Sequence, residues 1–302
     1  MATTLNAAYF HDDGKAREYL ESIRWPSGAV CPHCASTDDH YALEGKAHRR
    51  GLWKCSACRK QFSVTVGTVF ERSKIPLSKW LMAAYLLCSS KKGISAHQLH
   101  RTLGVTYKTA WFLAHRIRHA MSDQGGGLMG SGGGAVEADE TYIGRKPGRK
   151  VRQGVGHKEM VFSFVERGGH VRSTHITGKA FDDIKAALKA NVSPEAVLMT
   201  DEARMYRNIG KQYTDHQTVN HGKDEYVRGE AYTNTVEGFF SVFKRGMTGT
   251  YQHCSSDHLH RYLSEFDFRY NHRTSLEIDD NQRVASALKG IEGKRLTYRA
   301  AD

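Results

Sequence analysis

The stretch Val136-Glu137-Ala138-Asp139-Glu140-Thr141-Tyr142-Ile143 mixes β-branched and aromatic residues with acidic ones, and reads as a strand that carries carboxylates. Two more strands follow, Met160-Val161-Phe162-Ser163-Phe164-Val165 and His170 through Ile176, set apart by glycine-rich turns at Gly154 to Gly156 and Gly168-Gly169. Short turns join antiparallel neighbours, so these three should pair in sequence order. Phe181 through Ala190 reads as a helix with Phe181, Ile184, Ala187 and Leu188 on its apolar face. Ala196-Val197-Leu198-Met199-Thr200 is a short apolar strand ending at Asp201, His216 to Asn220 is a fifth strand, and Asn234 opens another helix. Hairpin strands followed by alternating helix and strand predict an α/β domain over 135–275, a mixed five-stranded sheet with flanking helices.

That element order is the ribonuclease H-like one, and active sites in open α/β sheets lie at the carboxyl ends of strands, where Asp201 falls. Asp139 lies inside the first strand. Glu237 lies in the helix start Thr233-Asn234-Thr235-Val236-Glu237-Gly238-Phe239-Phe240-Ser241-Val242-Phe243-Lys244-Arg245. Hard carboxylate oxygens suit Mg²⁺ or Mn²⁺, and two such ions about 4 Å apart clamp the attacking and leaving oxygens of a phosphodiester displacement. Asp139, Asp201 and Glu237 are therefore the candidate catalytic metal ligands. Neighbouring acids leave alternatives: Glu140 points to the other face of the strand, Glu137 shares the face of Asp139, and Glu202 adjoins Asp201. Asn234-x-x-Glu237 also has capping-box spacing, in which the glutamate only satisfies the helix start. Lys244 falls two turns after Glu237 on the same helix face, which suits either a phosphate contact or an ordinary surface lysine.

The 302 residues allow about two domains. Lysine plus arginine exceed aspartate plus glutamate by 44 to 32, a net +12 with a pI near 9.4, which favours nucleic acid as partner. No apolar run approaches the ~20 residues of a membrane span, and the first residues lack a signal peptide. A cytoplasmic protein, nucleoid-associated when on DNA and without membrane partners, is expected. There, Cys31-Pro32-His33-Cys34 and Cys55-Ser56-Ala57-Cys58, separated by 20 residues, read as the four thiolate ligands of a structural Zn²⁺. Such a closed tetrahedral site stabilises and does not catalyse. Ala35 and Arg59 follow the two knuckles where many ribbons place glycine, and His33 and His40 are expected to face solvent.

Downstream, Leu77, Trp80, Leu81, Ala84, Tyr85 and Cys88 form one apolar helical stripe. Ser95 can cap a helix reaching Leu103, Gly104-Val105 turns the chain, and Thr106 opens a longer helix through Met121, a helix-turn-helix pattern. The second helix carries Lys108, His115, Arg116, Arg118 and His119; Lys108, Arg116 and Arg118 are candidate DNA contacts, the alternative being an ordinary amphipathic helix with a solvated basic face. Gln124 to Gly134 has seven glycines in eleven residues and reads as a linker. The basic loop holding Arg145, Lys146, Arg149 and Lys150 follows the strand of Asp139, suited to phosphate contact. Leu259, Tyr262, Leu263, Phe266 and Tyr270 form a core stripe, and the tail from Thr274 shows little pattern. The expected domains are a zinc-ribbon segment (1–72), a helix-turn-helix segment (73–122), a linker (123–134), the ribonuclease H-like domain (135–275) and a C-terminal tail (276–302).

Several motifs together resemble the IS1595-family, ISXO2-like insertion-sequence transposases over nearly the whole chain. They are the Cys-Pro-x-Cys ribbon running into Val66-Gly67-Thr68-Val69-Phe70, Ile75-Pro76-Leu77-Ser78-Lys79-Trp80, Glu137 through Gly144, Thr200-Asp201-Glu202, Asn234 through Phe239, Gly249-Thr250-Tyr251-Gln252-His253 and Phe266 through Arg273. The 35 residues between Asp201 and Glu237 match the spacing of DD(35)E strand-transfer enzymes. The resemblance implies a DDE transposase with Asp139, Asp201 and Glu237 as triad, Lys244 as basic companion and two Mg²⁺ or Mn²⁺ ions. It also implies double-stranded DNA as substrate (terminal inverted repeats and target) and a homodimer or larger synaptic assembly. Some relatives carry Asn at the third acidic position, and Tyr232 stands where the family pattern has His. A zinc-ribbon regulator, or a ribonuclease H-like nuclease without strand transfer, is the alternative.

Overall fold

The computed structural model describes residues 4–122, 126–178, 180–203, 206–219 and 232–297. Asn220, Gln124 and Gly125, which figure in the expectations above, lie outside them. The chain forms two compact units, one from Met1–Ser122 with Thr274–Asp302, the other from Asp123–Arg273.

In the first unit, α1 (Asp13–Arg24) starts under a cap in which the Asp12 side chain accepts from the Lys15 N–H. It leads into an antiparallel ribbon, β1 (His40–Ala42), β2 (Trp53–Cys55) and β3 (Gln61–Phe62). Strands this short bury little by themselves; Trp25 meets the edges of Phe62 and Trp53 at 5.7 and 6.5 Å. His40, expected to face solvent, is half-buried: its ring packs on Phe62, and its Nε2 lies 2.7 Å from the Ser36 carbonyl. α2 (Leu77–Ser89) buries Trp80, Leu81, Ala84, Leu87 and Cys88, so Cys88 is core, as its place on the stripe suggests. α3 (Ala96–Leu103) is capped by Ser95 and stops at Gly104, whose φ of 59° is the left-handed turn glycine accepts without strain. α4 (Tyr107–Met121) starts under the Thr106 hydroxyl.

The second unit contains β4 (Ala135–Ile143), β5 (Glu159–Glu166), β6 (Val171–Ile176), α5 (Ala180–Asn191), β7 (Val197–Thr200), α6 (Tyr206–Gly210), β8 (Asp215–Thr218), α7 (Asn234–Gly246) and α8 (Ser256–Asn271). Its sheet runs β6-β5-β4-β7-β8, antiparallel among the first three and parallel from β4 through β7 to β8. This is the mixed five-stranded sheet read from the sequence. The period of two along β5 sorts its side chains onto two cores. Phe162 and Phe164 pack with Ile184, Leu188 and Ile209. Val161 and Val165 pack with Phe239, Phe243, Leu263 and Phe266. Phe181, expected in the first core, is instead 43% exposed at the start of α5.

Residues 126–134 do not form a free linker. Met129 is buried and exchanges backbone bonds with Asn191 and Ser193, and the Gly130 and Gly132 N–H groups donate to Glu166 and Glu195 at 2.9 Å. Gly130 has φ 72°, and a Cβ there would stand 2.5 Å from the Ala196 Cβ and 2.8 Å from the Gly134 carbonyl. At that position glycine supplies close approach and not looseness.

The segment after Thr274 belongs to the first unit. α9 (Asp280–Lys289) opens with a capping box between Asp279 and Gln282 and buries Val284, Ala287 and Leu288 against α2 and α4. The Arg283 guanidinium donates to the Cys88 carbonyl, and the Lys294 ammonium closes α4 by bonding the Ala120 and Ser122 carbonyls at 2.9 and 2.8 Å.

Candidate active site

β4 and β7 pair in parallel, Ala135 with Val197, Val136 with Leu198 and Glu137 with Met199. Extending that register by two residues sets Asp139 beside Asp201, just past the end of β7. The ladder fixes this approach, whatever the length of chain between the two. Asp139 Oδ1 accepts the Glu140 N–H at 2.7 Å, and Asp201 Oδ1 accepts the Ala203 N–H at 3.0 Å. Burial pushes the Asp139 carboxyl up from an ordinary 3.8 to about 8; the charges of Glu140, Asp201 and Glu237 push the same way, against the Glu140 amide. The register thus sets Asp139 beside Asp201, and the charges of Glu140, Asp201 and Glu237 all act on the Asp139 carboxyl. Carboxylate oxygens are the donor type that a divalent cation of the Mg²⁺ kind prefers, but among the described residues only the four cysteines bring three or more ligand atoms within 4.8 Å of one another.

The neighbouring acids are engaged. Burial raises the Glu140 carboxyl, the Tyr206 hydroxyl donated to its Oε2 lowers it, and Asp201 raises it again. Glu137 is fully buried and takes four hydrogen bonds: from Arg167 Nε at 2.9 Å, the Thr235 hydroxyl at 2.8 Å, and the Thr235 and Val236 N–H groups at 2.9 and 3.0 Å. The last two are the second and third amides of α7, so a strand residue supplies the helix cap. Glu237 is consequently not the capping-box glutamate. Its N-cap is Thr233, Glu237 is the fourth helical residue, and its exposed carboxylate accepts the Thr233 hydroxyl at 3.1 Å. Ser241, Lys244 and Thr248 continue an exposed polar stripe from Glu237 along α7 into the π-helical turn Met247–Tyr251. No sequence signature announces the roles of Glu137, Arg167 or Tyr206, because their partners lie 30 to 99 residues away.

The loop after β4 carries Arg145, Arg149 and Lys150 exposed and Lys146 half-buried. Gly148, Arg149, Lys150, Arg152, Gln153, Gly156 and His157 line a cavity of about 410 Å³. Arg145 Nε donates to the Arg149 carbonyl, which closes the loop on itself.

In the first unit, the ligand atoms of Cys31, Cys34, Cys55 and Cys58 all lie within 4.8 Å of one another. The pairs Cys31–Cys58 and Cys34–Cys55 stand at 3.7 Å between sulfurs. A tetrahedron with Zn–S bonds of about 2.3 Å has edges of about 3.8 Å, so the cluster fits a structural zinc. His33 is exposed and outside it. The residues after the knuckles, Ala35 and Arg59, sit at φ 57° and 59°, the left-handed conformation that explains the usual glycines.

α4 presents less cation to solvent than its sequence suggests. Lys108 is exposed, but Arg116 is 6% and Arg118 2% exposed, and His115 is fully buried. The Arg116 guanidinium donates to the Glu71 carbonyl at 2.8 Å and lies over the rings of Trp80 and Phe112. Arg116 and Arg118 are therefore not placed to reach a DNA phosphate: arginine stems and planes also pack on aromatics, and the helical period alone does not separate that use from a solvated face.

Residues 131–271 match the ISXO2-like transposase domain of the IS1595 group, and residues 11–61 match the transposase zinc-ribbon domain. The chain is also 30% identical over 281 residues to an uncharacterized protein in transposable element ISH50 of Halobacterium salinarum, covering 86% of this chain and 91% of that protein. No helix among the described residues is long and apolar enough to cross a membrane. A zinc-ribbon cysteine cluster ahead of an α/β unit with a mixed five-stranded sheet, together with these matches, makes the chain a member of the ISXO2-like transposases of the IS1595 family.

Proposed function

We propose that this chain binds double-stranded DNA at the terminal inverted repeats of its insertion sequence, cuts there, and joins the exposed ends to target DNA. The observation that carries the reading is the meeting of Asp139 with Asp201 through the β4–β7 register, with Glu237 close enough for its charge to act on Asp139. The sheet order supports a ribonuclease H-like catalytic domain, and α3, Gly104 and α4 support a helix-turn-helix module beside the ribbon.

Asp139, Asp201 and Glu237 would hold two Mg²⁺ or Mn²⁺ ions, which when bound supply Lewis-acid polarisation of phosphate and attacking oxygens. Hydrolysis at an element end leaves a 3′-hydroxyl and a 5′-phosphate. The 3′-hydroxyl then attacks a target phosphodiester and displaces that strand's 3′-oxygen, so one phosphodiester forms as one breaks. Lys244, on the exposed stripe of α7, contacts a phosphate of the reacting strand, and Arg145, Lys146, Arg149 and Lys150 hold the flanking backbone. Lys108 and the exposed Tyr107 lie in the first turn of α4, the part of a recognition helix that meets base edges. Two ends must be brought together, so the working form is a dimer or larger assembly.

The test uses zinc-loaded protein, supercoiled plasmid carrying the DNA that flanks the gene, and Mg²⁺ or Mn²⁺, with Asp201→Asn as control and cut sites mapped. Cuts at the element boundaries with free 3′-hydroxyls, absent in the control, are expected. Specific binding without cutting would favour a DNA-binding regulator, and cutting without joining a nuclease.

A further inference from the structure

The first turn of a helix has amides without intrahelical partners, and a side chain at the N-cap usually serves them. In α7 the N-cap residue Thr233 makes no such bond and turns its hydroxyl to Glu237. Glu137, on the strand that carries Asp139, serves the Thr235 and Val236 amides and the Thr235 hydroxyl. Arg167, in the turn after β5, donates its Nε to Glu137 and a terminal nitrogen to the Tyr232 carbonyl at 3.1 Å, and its guanidinium lies 3.4 Å over the Tyr232 ring. The entry to α7 is thus gripped from β4 and from the β5–β6 turn. Glu137 and Asp139 alternate onto the same face of β4, and Val236, whose amide Glu137 holds, is bonded directly to Glu237. One strand therefore carries the first acid of the triad and the anchor of the helix that presents the third. A buried carboxylate is costly unless all its bonds are made, so the grip tolerates little displacement.

We propose that Glu137 and Arg167 are positioning residues which fix Glu237 relative to Asp139 and so set how tightly the carboxylate cluster takes a divalent cation. The proposal rests on the triad reading above. Hydrogen-bonding partners that orient metal ligands typically change metal affinity by about 10–100-fold when removed, and the lower figure suits a grip acting through one helical turn.

The test is a double-mutant cycle on the full-length, zinc-loaded protein, with Mn²⁺ binding read by electron paramagnetic resonance and amide hydrogen exchange in parallel. Glu137→Gln replaces one acceptor oxygen by an NH₂ group facing N–H donors. It should weaken Mn²⁺ binding about tenfold and remove exchange protection at Thr235 and Val236 while sparing β5 and α8. In a Glu237→Gln background the same change should cause no further loss. If Glu237→Gln weakens binding and Glu137→Gln does not, the grip is not a positioning device and the proposal falls alone. If the Glu137→Gln loss recurs in full in the Glu237→Gln background, the effect is general loosening and the proposal also falls. If Glu237→Gln binds Mn²⁺ as the unaltered protein does, the triad reading fails and takes the proposal with it. Should Glu137→Gln not fold, Arg167→Lys, which keeps the charge but removes the guanidinium that bonds Glu137 and the Tyr232 carbonyl, takes its place in the cycle, and each outcome carries the same meaning.

Discussion

Replacing Asp139 by Asn should make the protein more stable in Mg²⁺-free solution. Asp139 has its carboxyl lifted by burial, and then by Glu140, Asp201 and Glu237, to about 8 from 3.8. The folded chain holds this proton more tightly than the unfolded one. Stability is therefore full below about pH 4 and declines as pH rises toward 8, at a limiting ~1.4 kcal/mol per pH unit. At pH 7 the accumulated cost is about 4 kcal/mol as an upper figure. Asn never ionises, and its Oδ1 can keep the bond from the Glu140 amide. Allowing for relaxation of the site, a gain of about 2–3 kcal/mol, or roughly 5–10 °C in melting temperature, is expected near neutral pH, shrinking to nothing near pH 4. All four tryptophans, Trp25, Trp53, Trp80 and Trp111, lie in the first unit, whereas Asp139 lies in the second. Calorimetry or far-ultraviolet circular dichroism of the whole chain, with zinc retained, should record the shift while the tryptophan-fluorescence transition stays in place. An Asp139→Asn protein that melts no higher than the unaltered one at pH 7–8, or whose gain does not vanish toward pH 4, would refute the reasoning.

Removing zinc should open the ribbon and red-shift the emission of Trp25 and Trp53, and Ala35→Gly, which relieves a residue at φ 57°, should raise ribbon stability by about 1 kcal/mol in a zinc-competition titration. Gly130→Ala should destabilise the second unit by about 2–4 kcal/mol, seen by circular dichroism, because its Cβ would collide with Ala196 and the Gly134 carbonyl. Lys108→Ala should weaken binding to end DNA and lower the salt slope by about 1 in a titration of affinity against salt. Arg116→Ala should instead lower the melting point followed by tryptophan fluorescence, since Arg116 binds the Glu71 carbonyl and covers Trp80.

The sheet was legible because β4, β5 and β7 carry period-two or continuous apolar patterns between glycine turns, and the helix caps at Ser95 and Thr106 announce α3 and α4 locally. The three acids could be picked out by their places in that frame. What sequence could not show depends on contacts distant in the chain. Glu137 has the face and charge of a metal ligand until the amides of α7, 98 residues on, claim it. Arg116 reads as a solvated cation until Trp80 slides beneath it. The glycines near Gly130 read as slack, yet one of them is there because Ala196 leaves no room for a Cβ. α9 has too short an apolar face to stand out and gains its meaning from α2 and α4.

The first unit is assembled from both ends of the chain, with the second unit inserted between Ser122 and Thr274. During synthesis α2 and α4 therefore emerge long before α9, and the apolar faces that Val284, Ala287 and Leu288 cover stay open until the whole carboxylate-bearing unit has left the ribosome. At about 5–20 residues per second that interval lasts on the order of ten seconds or more. A truncated or stalled chain would keep its ribbon and lack the helix that closes the fold around it, so completion of the first unit reports that the second has already been made.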